Sequence, residues 1–380
     1  MGTGNLDLSH AAPIEVAAPS RRLLSLDALR GFDMFWIMGG EGIVKAAAVL
    51  TGWAWLVWFG DQLEHPEWDG FALYDLIFPL FLFMAGVAMP FSFERRIERG
   101  DTRGQLYRHV IMRGLMLVLL GMIYNGLLRL DFTNMRYPSV LGRIGLAYLF
   151  AALIVLNASV RGQILWIVGL LVGYWAALRF IPVPEFGAHD LTPGHTLTDY
   201  IDRMLIPGKL YRGDRDPEGL LATVPAIGTA LFGAVTGQWL KDERLGGYLK
   251  AGGMIIAGAV CLGLAQLWNL EFHINKNLWT SSFVLQCAGL SLLLLSLFYL
   301  IIDVWHWRRW AFPFIVIGSN SILIYLIVRV IDFDYAAKFL FGGALRRAGD
   351  YQLLLWATAI VVLKWLLLYL LYRKRIFLRV

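Results

Sequence analysis

Charge is scarce in this chain. Only 16% of its 380 residues are Asp, Glu, Lys or Arg, whereas 58% are hydrophobic and the mean hydropathy is +0.60, a balance that excludes an ordinary water-soluble globule. Cysteine is nearly absent: Cys261 and Cys287 both fall inside apolar runs, so neither a disulfide framework nor a metal site is expected. The phosphate loop GxxxxGK[ST], the metal spacings HExxH and CxxC and the nucleophile elbow GxSxG are all missing, which argues against ATPase, zinc-enzyme and serine-hydrolase chemistry. There is no tandem repeat, and no low-complexity tract beyond richness in leucine. The net charge of +6 and pI of 9.3 do not indicate nucleic acid, because the basic residues sit in short turns between apolar runs and not along one face.

What is present is a series of apolar runs near 24–42, 71–93, 109–128, 138–157, 163–181, 220–240, 248–268, 279–302, 311–331 and 351–372. Each approaches the roughly 20 residues that cross the hydrocarbon of a bilayer. The expected class is therefore all-α: a polytopic integral membrane protein of ten transmembrane helices, eleven if 43–60 is a further span. Lys45 and the close-set Trp53, Trp55 and Trp58 favour instead a helix lying in the membrane interface over 43–60. Residues 1–20, polar or rich in Ala and Pro and without a signal-like apolar core, read as a loose cytoplasmic tail, leaving 21–380 as a single transmembrane domain.

Lys and Arg set the expected orientation. Arg21 and Arg22, the run from Arg95 to Arg108, then Arg161, Lys241, Arg244, Arg308, Arg309 and the group Arg373, Lys374 and Arg375 mark alternate connections, and both termini, as cytoplasmic. The segments 43–70, 182–219, 269–277 and 332–350 then face outward. Loop 182–219, rich in Pro, Gly and Asp and carrying His189 and His195, reads either as a cradle over the outer mouth or as a solvated linker. Gly-rich stretches at 227–237 and Gly252–Gly253 permit close packing of helices within one chain or in a homodimer.

Polar residues in or beside apolar spans are costly to leave unpaired, so each needs a reason. His65, just ahead of the second run, titrates near neutral pH and suits proton or acyl transfer; alone it is also a common structural residue. Asp75, ten positions on, is placed to orient its ring, with Asp61, Glu64, Glu67 and Asp69 as competitors. Asp27 and Arg30 are spaced i,i+3 on the first helix, as a structural ion pair or as an anchor for an anionic ligand from inside. Asn275, Lys276 and Asn277 suit sugar hydroxyls or a phosphate, against the blander reading of a snorkelling lysine. Arg143 in the fourth span points to ligand contact, and Asn320 in the ninth to packing between helices.

Taken in order, several blocks resemble the heparan-α-glucosaminide N-acetyltransferase family of transmembrane acyltransferases. They are Ser25-Leu26-Asp27-Ala28-Leu29-Arg30-Gly31, His65 with Trp68-Asp69-Gly70 and Asp75-Leu76-Ile77-Phe78-Pro79, Arg143-Ile144-Gly145, Asp216-Pro217-Glu218-Gly219-Leu220-Leu221, Asn275-Lys276-Asn277-Leu278-Trp279 and Gly318-Ser319-Asn320-Ser321-Ile322-Leu323. The resemblance implies a bacterial inner-membrane enzyme that moves acetyl from cytosolic acetyl-CoA across the bilayer to the amino group of a glucosamine-type sugar. It implies His65 as the catalytic group, either as an acyl-imidazole or as a general base. With it go Asp75 in support, Asp27, Arg30, Arg143 and Asn320 on the CoA side, and Glu41, Asp69, Asn275, Lys276 and Asn277 on the acceptor side. The chain departs from the family pattern at Gly142, where relatives commonly have Gln, and at Glu41, which stands in the first outer loop where they have Asn. Two other readings stay open: a transporter of a small sugar or amine, with polar residues lining its path, and an O-acyltransferase acting on a cell-envelope glycan.

Overall fold

The computed structural model describes residues 23–378; the expected tail over 1–20 and the basic pair Arg21 and Arg22 lie outside the described residues. Fourteen helices account for most of the described chain: α1 (Leu24–Thr51), α2 (Ala54–Asp61), α3 (Leu73–Glu98), α4 (Arg103–Tyr124), α5 (Val140–Asn157), α6 (Val160–Phe180) and α7 (Leu197–Leu205), then α8 (Thr223–Lys241), α9 (Gly247–Asn269), α10 (Ser281–Val304), α11 (Arg309–Ser319), α12 (Ser321–Ile327), α13 (Phe333–Leu345) and α14 (Gly349–Arg373). Among the described residues two isolated bridges, Arg136 with Gly208 and Val183 with Gly187, replace any sheet. Helix starts follow local chemistry. The side chains of Thr102, Ser139, Ser159, Thr196, Thr280 and Asp332 each accept a hydrogen bond from a first-turn N–H, satisfying a donor that the helix itself cannot.

Among the described residues eight helices are long and apolar enough to cross a membrane, or nine if the pair α11 and α12, bent by 59° at Asn320, counts as one. The expected run at 220–240 does form a helix, α8, but one rich in Gly, Ala and Thr that falls short of that apolar test. Its composition suits the middle of a bundle. A Cβ added to Gly86 of α3 would lie 2.0 Å from the carbonyl oxygen of Ala230, and one on Gly233 would lie 2.0 Å from that of Phe83. Backbones this close tolerate only hydrogen as a side chain. Burial separates inner from outer helices: 78% of the most apolar window of α3 is buried, against 11% for α14. Gly31 and Gly318 bring α1 against α11 in the same way.

The first connection differs from expectation. Residues 43–51 continue α1 through a π-helical turn, Trp36–Gly40, in which Gly39 takes φ 127°, and the helix stops only at Gly52 with φ 64°. The stretch 43–60 is thus divided between the segment Glu41–Thr51, set off by the non-helical Gly39, and α2, which at eight residues is too short to cross a bilayer. Trp53, Trp55 and Trp58 are exposed on or next to α2. Loop 182–219 is no solvated linker. It holds α7 and packs Val183 and Leu197 with Tyr174, Leu178, Phe272 and Leu278 in a small apolar cluster.

Candidate functional site

The 3₁₀ turn Leu73–Leu76 opens α3, and its buried Asp75 does two jobs. One carboxylate oxygen accepts the Ala72 N–H at 2.9 Å, and the other lies 2.7 Å from Nδ1 of His65. The loop that carries His65 folds back because Tyr74 N–H donates to the Gln62 carbonyl and Gly70, at φ 120°, donates to the carbonyl of Ile274. Asp75 thus fixes the ring with Nδ1 as donor and makes Nε2 the accepting nitrogen. His65 is half exposed, whereas Asp75 is sealed from solvent.

Lys276 arrives from the turn between α9 and α10. Its Nζ lies 2.9 Å from Nε2 of His65 and 3.5 Å from Asp75. Burial pushes its pKa below the usual lysine value, against the upward pull of Asp75 and Glu218. A desolvated ammonium beside an imidazole and a carboxylate can stabilise developing negative charge or hand over a proton. Asn275, buried beside it, donates to Asp69 at 3.0 Å and accepts the Leu278 N–H at 3.0 Å, so it ties the two loops together. Asn277 is half-buried in the same turn.

Behind this group lies a second charged layer. Arg136 makes a bidentate pair with Asp216, at 2.7 and 2.6 Å, and also pairs with Glu218. These partners, with burial opposing them, raise its pKa. Arg143 is buried at the start of α5, 4.9 Å over the ring of Trp279 and 3.4 Å from the carbonyl of Gly219. From loop 182–219 the Leu191 carbonyl accepts the indole N–H of Trp68 at 3.0 Å, and Arg215 sits over that indole. His195 is occupied by Asp190 and stacks on Phe186 at 3.8 Å.

The other end of the bundle is basic. Asp27 and Arg30 pair at 3.7 Å and line a cavity of about 400 Å³ together with Arg95, Arg96 and Arg99. Arg96 is engaged by Asp101 at 2.9 Å; Arg95 and Arg99 form no ion pair among the described residues. Arg30 also borders a second cavity of about 220 Å³, deeper in the bundle, with Arg113, Tyr148, Ser319 and Ser321.

The structure thus brings His65, Asp75 and Lys276 into contact, with Asp69 and Asn275 one step away, and keeps Asp27 and Arg30 at the basic end. Arg143 joins neither cavity lining; it stands with Trp279 and Gly219. Asn320 is taken up by the chain itself, donating to the Ile376 carbonyl and accepting the Leu378 N–H, both at 2.9 Å. Glu41, expected in an outer loop, is instead helical within α1 and reaches Tyr74. Sequence reasoning missed Tyr74, the contact of Lys276 with His65, and the cluster of Arg136, Asp216 and Glu218. Only the acidic half of that cluster had a signal, in Asp216-Pro217-Glu218-Gly219.

An all-helical chain with span-length apolar helices and a His–carboxylate–Lys group at one end defines a polytopic membrane protein with a site suited to group transfer. Comparison with known proteins narrows the class. A family model described as a domain of unknown function (DUF5009) matches residues 22–126. The heparan-alpha-glucosaminide N-acetyltransferase of Homo sapiens is 27% identical over 380 aligned positions, covering 83% of this chain and 55% of that protein. That of Mus musculus is also 27% identical, over 418 positions, covering 94% of this chain and 61% of the mouse protein. The chain is similar to these acetyltransferases along most of its length, while spanning little more than half of theirs.

Proposed function

We propose that the protein is a membrane-bound acetyltransferase, taking acetyl from acetyl-CoA at the basic end and passing it to the amino group of a glucosamine-type sugar at the His65 end. The observation that carries this reading is the 2.7 Å contact of His65 with Asp75 and the ammonium of Lys276 at 2.9 Å from Nε2. In this reading the Arg-rich end and both termini face the cytosol of a bacterium, by the bias of basic residues between spans. Residues 21–380 then work as one domain in its inner membrane.

The residues at each end fit their partners. Arg30, Arg95 and Arg99 around the 400 Å³ cavity suit the phosphates of a CoA nucleotide. The pantetheine arm would run past Arg30 through the second cavity toward His65. There the unprotonated Nε2, released as the Lys276 ammonium turns to the thioester carbonyl oxygen, accepts a proton from the attacking amine as the amine nitrogen bonds to the thioester carbonyl carbon. The C–S bond then breaks, the amide forms, and the CoA thiolate takes up a proton. Asp75 stabilises the imidazolium, and Lys276 the negative charge on the carbonyl oxygen. An acyl-imidazole on Nε2 would use the same geometry in two steps.

Purified protein given radiolabelled acetyl-CoA and glucosamine is expected to yield labelled N-acetylglucosamine, with His65→Ala inactive yet monodisperse. A product stable to mild base is an amide; a base-labile one would show O-acylation. Among the described residues the helix broken at Asn320 is a feature that favours a transporter. Uptake of unmodified sugar into proteoliposomes without CoA, together with an inactive wild type in the transfer assay, would replace the enzyme reading.

A further inference from the structure

Two residues against the candidate site have no part in acyl transfer as described. Tyr74 directly precedes Asp75, and its ring centroid lies 4.9 Å from that of His65 with the planes at 45°. Its hydroxyl is within hydrogen-bonding reach of the Glu41 carboxylate. Glu41 follows the π-helical turn Trp36–Gly40 of α1. Such turns loosen the helical ladder and recur at functional sites. Lys364, from α14, donates to the Met38 carbonyl of that turn at 2.7 Å, and its ammonium lies in the field of Glu41. A polar chain therefore runs from Lys364 through Glu41 and Tyr74 to the face of the imidazole, joining α14, α1 and the start of α3.

Asp75 at Nδ1 and Lys276 at Nε2 hold the edge of the His65 ring but leave its plane free to tilt. A tyrosine ring packed on the imidazole fixes the plane only if that tyrosine is itself held. The Glu41 tether holds its far end, and the peptide bond to Asp75 holds its near end. We propose that Glu41 and Tyr74 are positioning residues that set the plane of the His65 imidazole, with Lys364 securing Glu41 beside the π turn. The effect on turnover rests on the acyl-transfer reading; the effect on the imidazole does not.

The test uses the full-length protein in detergent and the variants Tyr74→Phe, Glu41→Ala, Glu41→Gln and the double variant Glu41→Ala with Tyr74→Phe. The first readout is the rate at which diethyl pyrocarbonate modifies His65, followed by peptide mass spectrometry. Tyr74→Phe and Glu41→Ala should each speed modification by about 3- to 10-fold, and the double variant should match either single, because residues acting through one chain are not additive. Glu41→Gln, which keeps an acceptor for the tyrosine hydroxyl, should stay within about twofold of wild type. The second readout is steady-state transfer. Both single changes should lower kcat by about 10- to 100-fold, the range expected for a misplaced catalytic group, with KM for donor and acceptor little changed. Unaltered modification rates in both singles, independent effects that multiply in the double, or failure of glutamine to rescue would each overturn the proposal. Should the wild type transfer no acetyl group at all, the functional reading falls while the modification rates still decide this one.

Discussion

Asp202 offers a test that is independent of any assigned activity. It lies on α7, buried, with Oδ1 accepting the Leu220 N–H at 2.8 Å and Oδ2 without a partner. The Oδ2 atom sits so close to Gly219 that a Cβ there would be 1.7 Å away. Burial pushes the carboxyl up from 3.8 to about 7, against the pull of the Leu220 N–H and of Arg143. A carboxyl whose folded pKa is raised holds its proton in the native state at pH values where the unfolded chain has lost it. The fold therefore carries no ionisation penalty below pH 3.8, and the penalty grows as pH rises to about 7 and is constant above. Three pH units correspond to about 4 kcal/mol, an upper figure. Asp202→Asn removes that dependence but places an unpartnered amide where Oδ2 was, which costs about 1–3 kcal/mol at every pH. The variant should be less stable than wild type at pH 4 and more stable at pH 8. With an unfolding entropy of about 2.1 cal/mol/K per residue, the melting temperature of the variant relative to wild type should climb by about 5 °C across that range. Thermal unfolding of both proteins in one detergent, at matched scan rate, measures it. A flat or falling difference would refute burial as the dominant influence on Asp202.

Asp75→Asn should lower acetyl transfer by about 10²- to 10⁴-fold, since the neutral amide no longer enforces the Nδ1–H tautomer, while acetyl-CoA binding measured by calorimetry is retained. Replacing Arg95 and Arg99 together with Ala should weaken acetyl-CoA binding by about tenfold or more and flatten its dependence on salt, because charge-assisted contacts to phosphate are lost; unchanged affinity would remove the CoA site from the basic end. Gly86→Val should abolish a monodisperse peak in size-exclusion chromatography, because its Cβ would meet the Ala230 carbonyl at 2.0 Å, whereas Gly263→Ala, with nothing within 4 Å, should behave as wild type.

Helix positions were largely legible in the sequence because apolar runs and polar N-caps such as Thr102 and Ser139 are local signals. The course of α1 was not, since a π turn with a non-helical Gly39 leaves no compositional trace. Of the site, His65 and Asp75 were legible from one short stretch. Lys276 was seen, yet its contact spans 211 positions and could only come from folding. Asn320 was read from residue type as packing between helices, and the chain end engages it; Arg143 was read as a ligand contact, and it lies against the ring of Trp279. Arg136 carried no signal of its own, because its partners Asp216 and Glu218 lie 80 and 82 residues away.

The glycine- and threonine-rich character of α8 also bears on how the bundle goes together. A helix with so few large side chains gains little from facing lipid tails, and its close backbone fit at Gly86 and Gly233 makes α3 its companion surface. The small residues that set the spacing of the bundle therefore also set which neighbour α8 must meet.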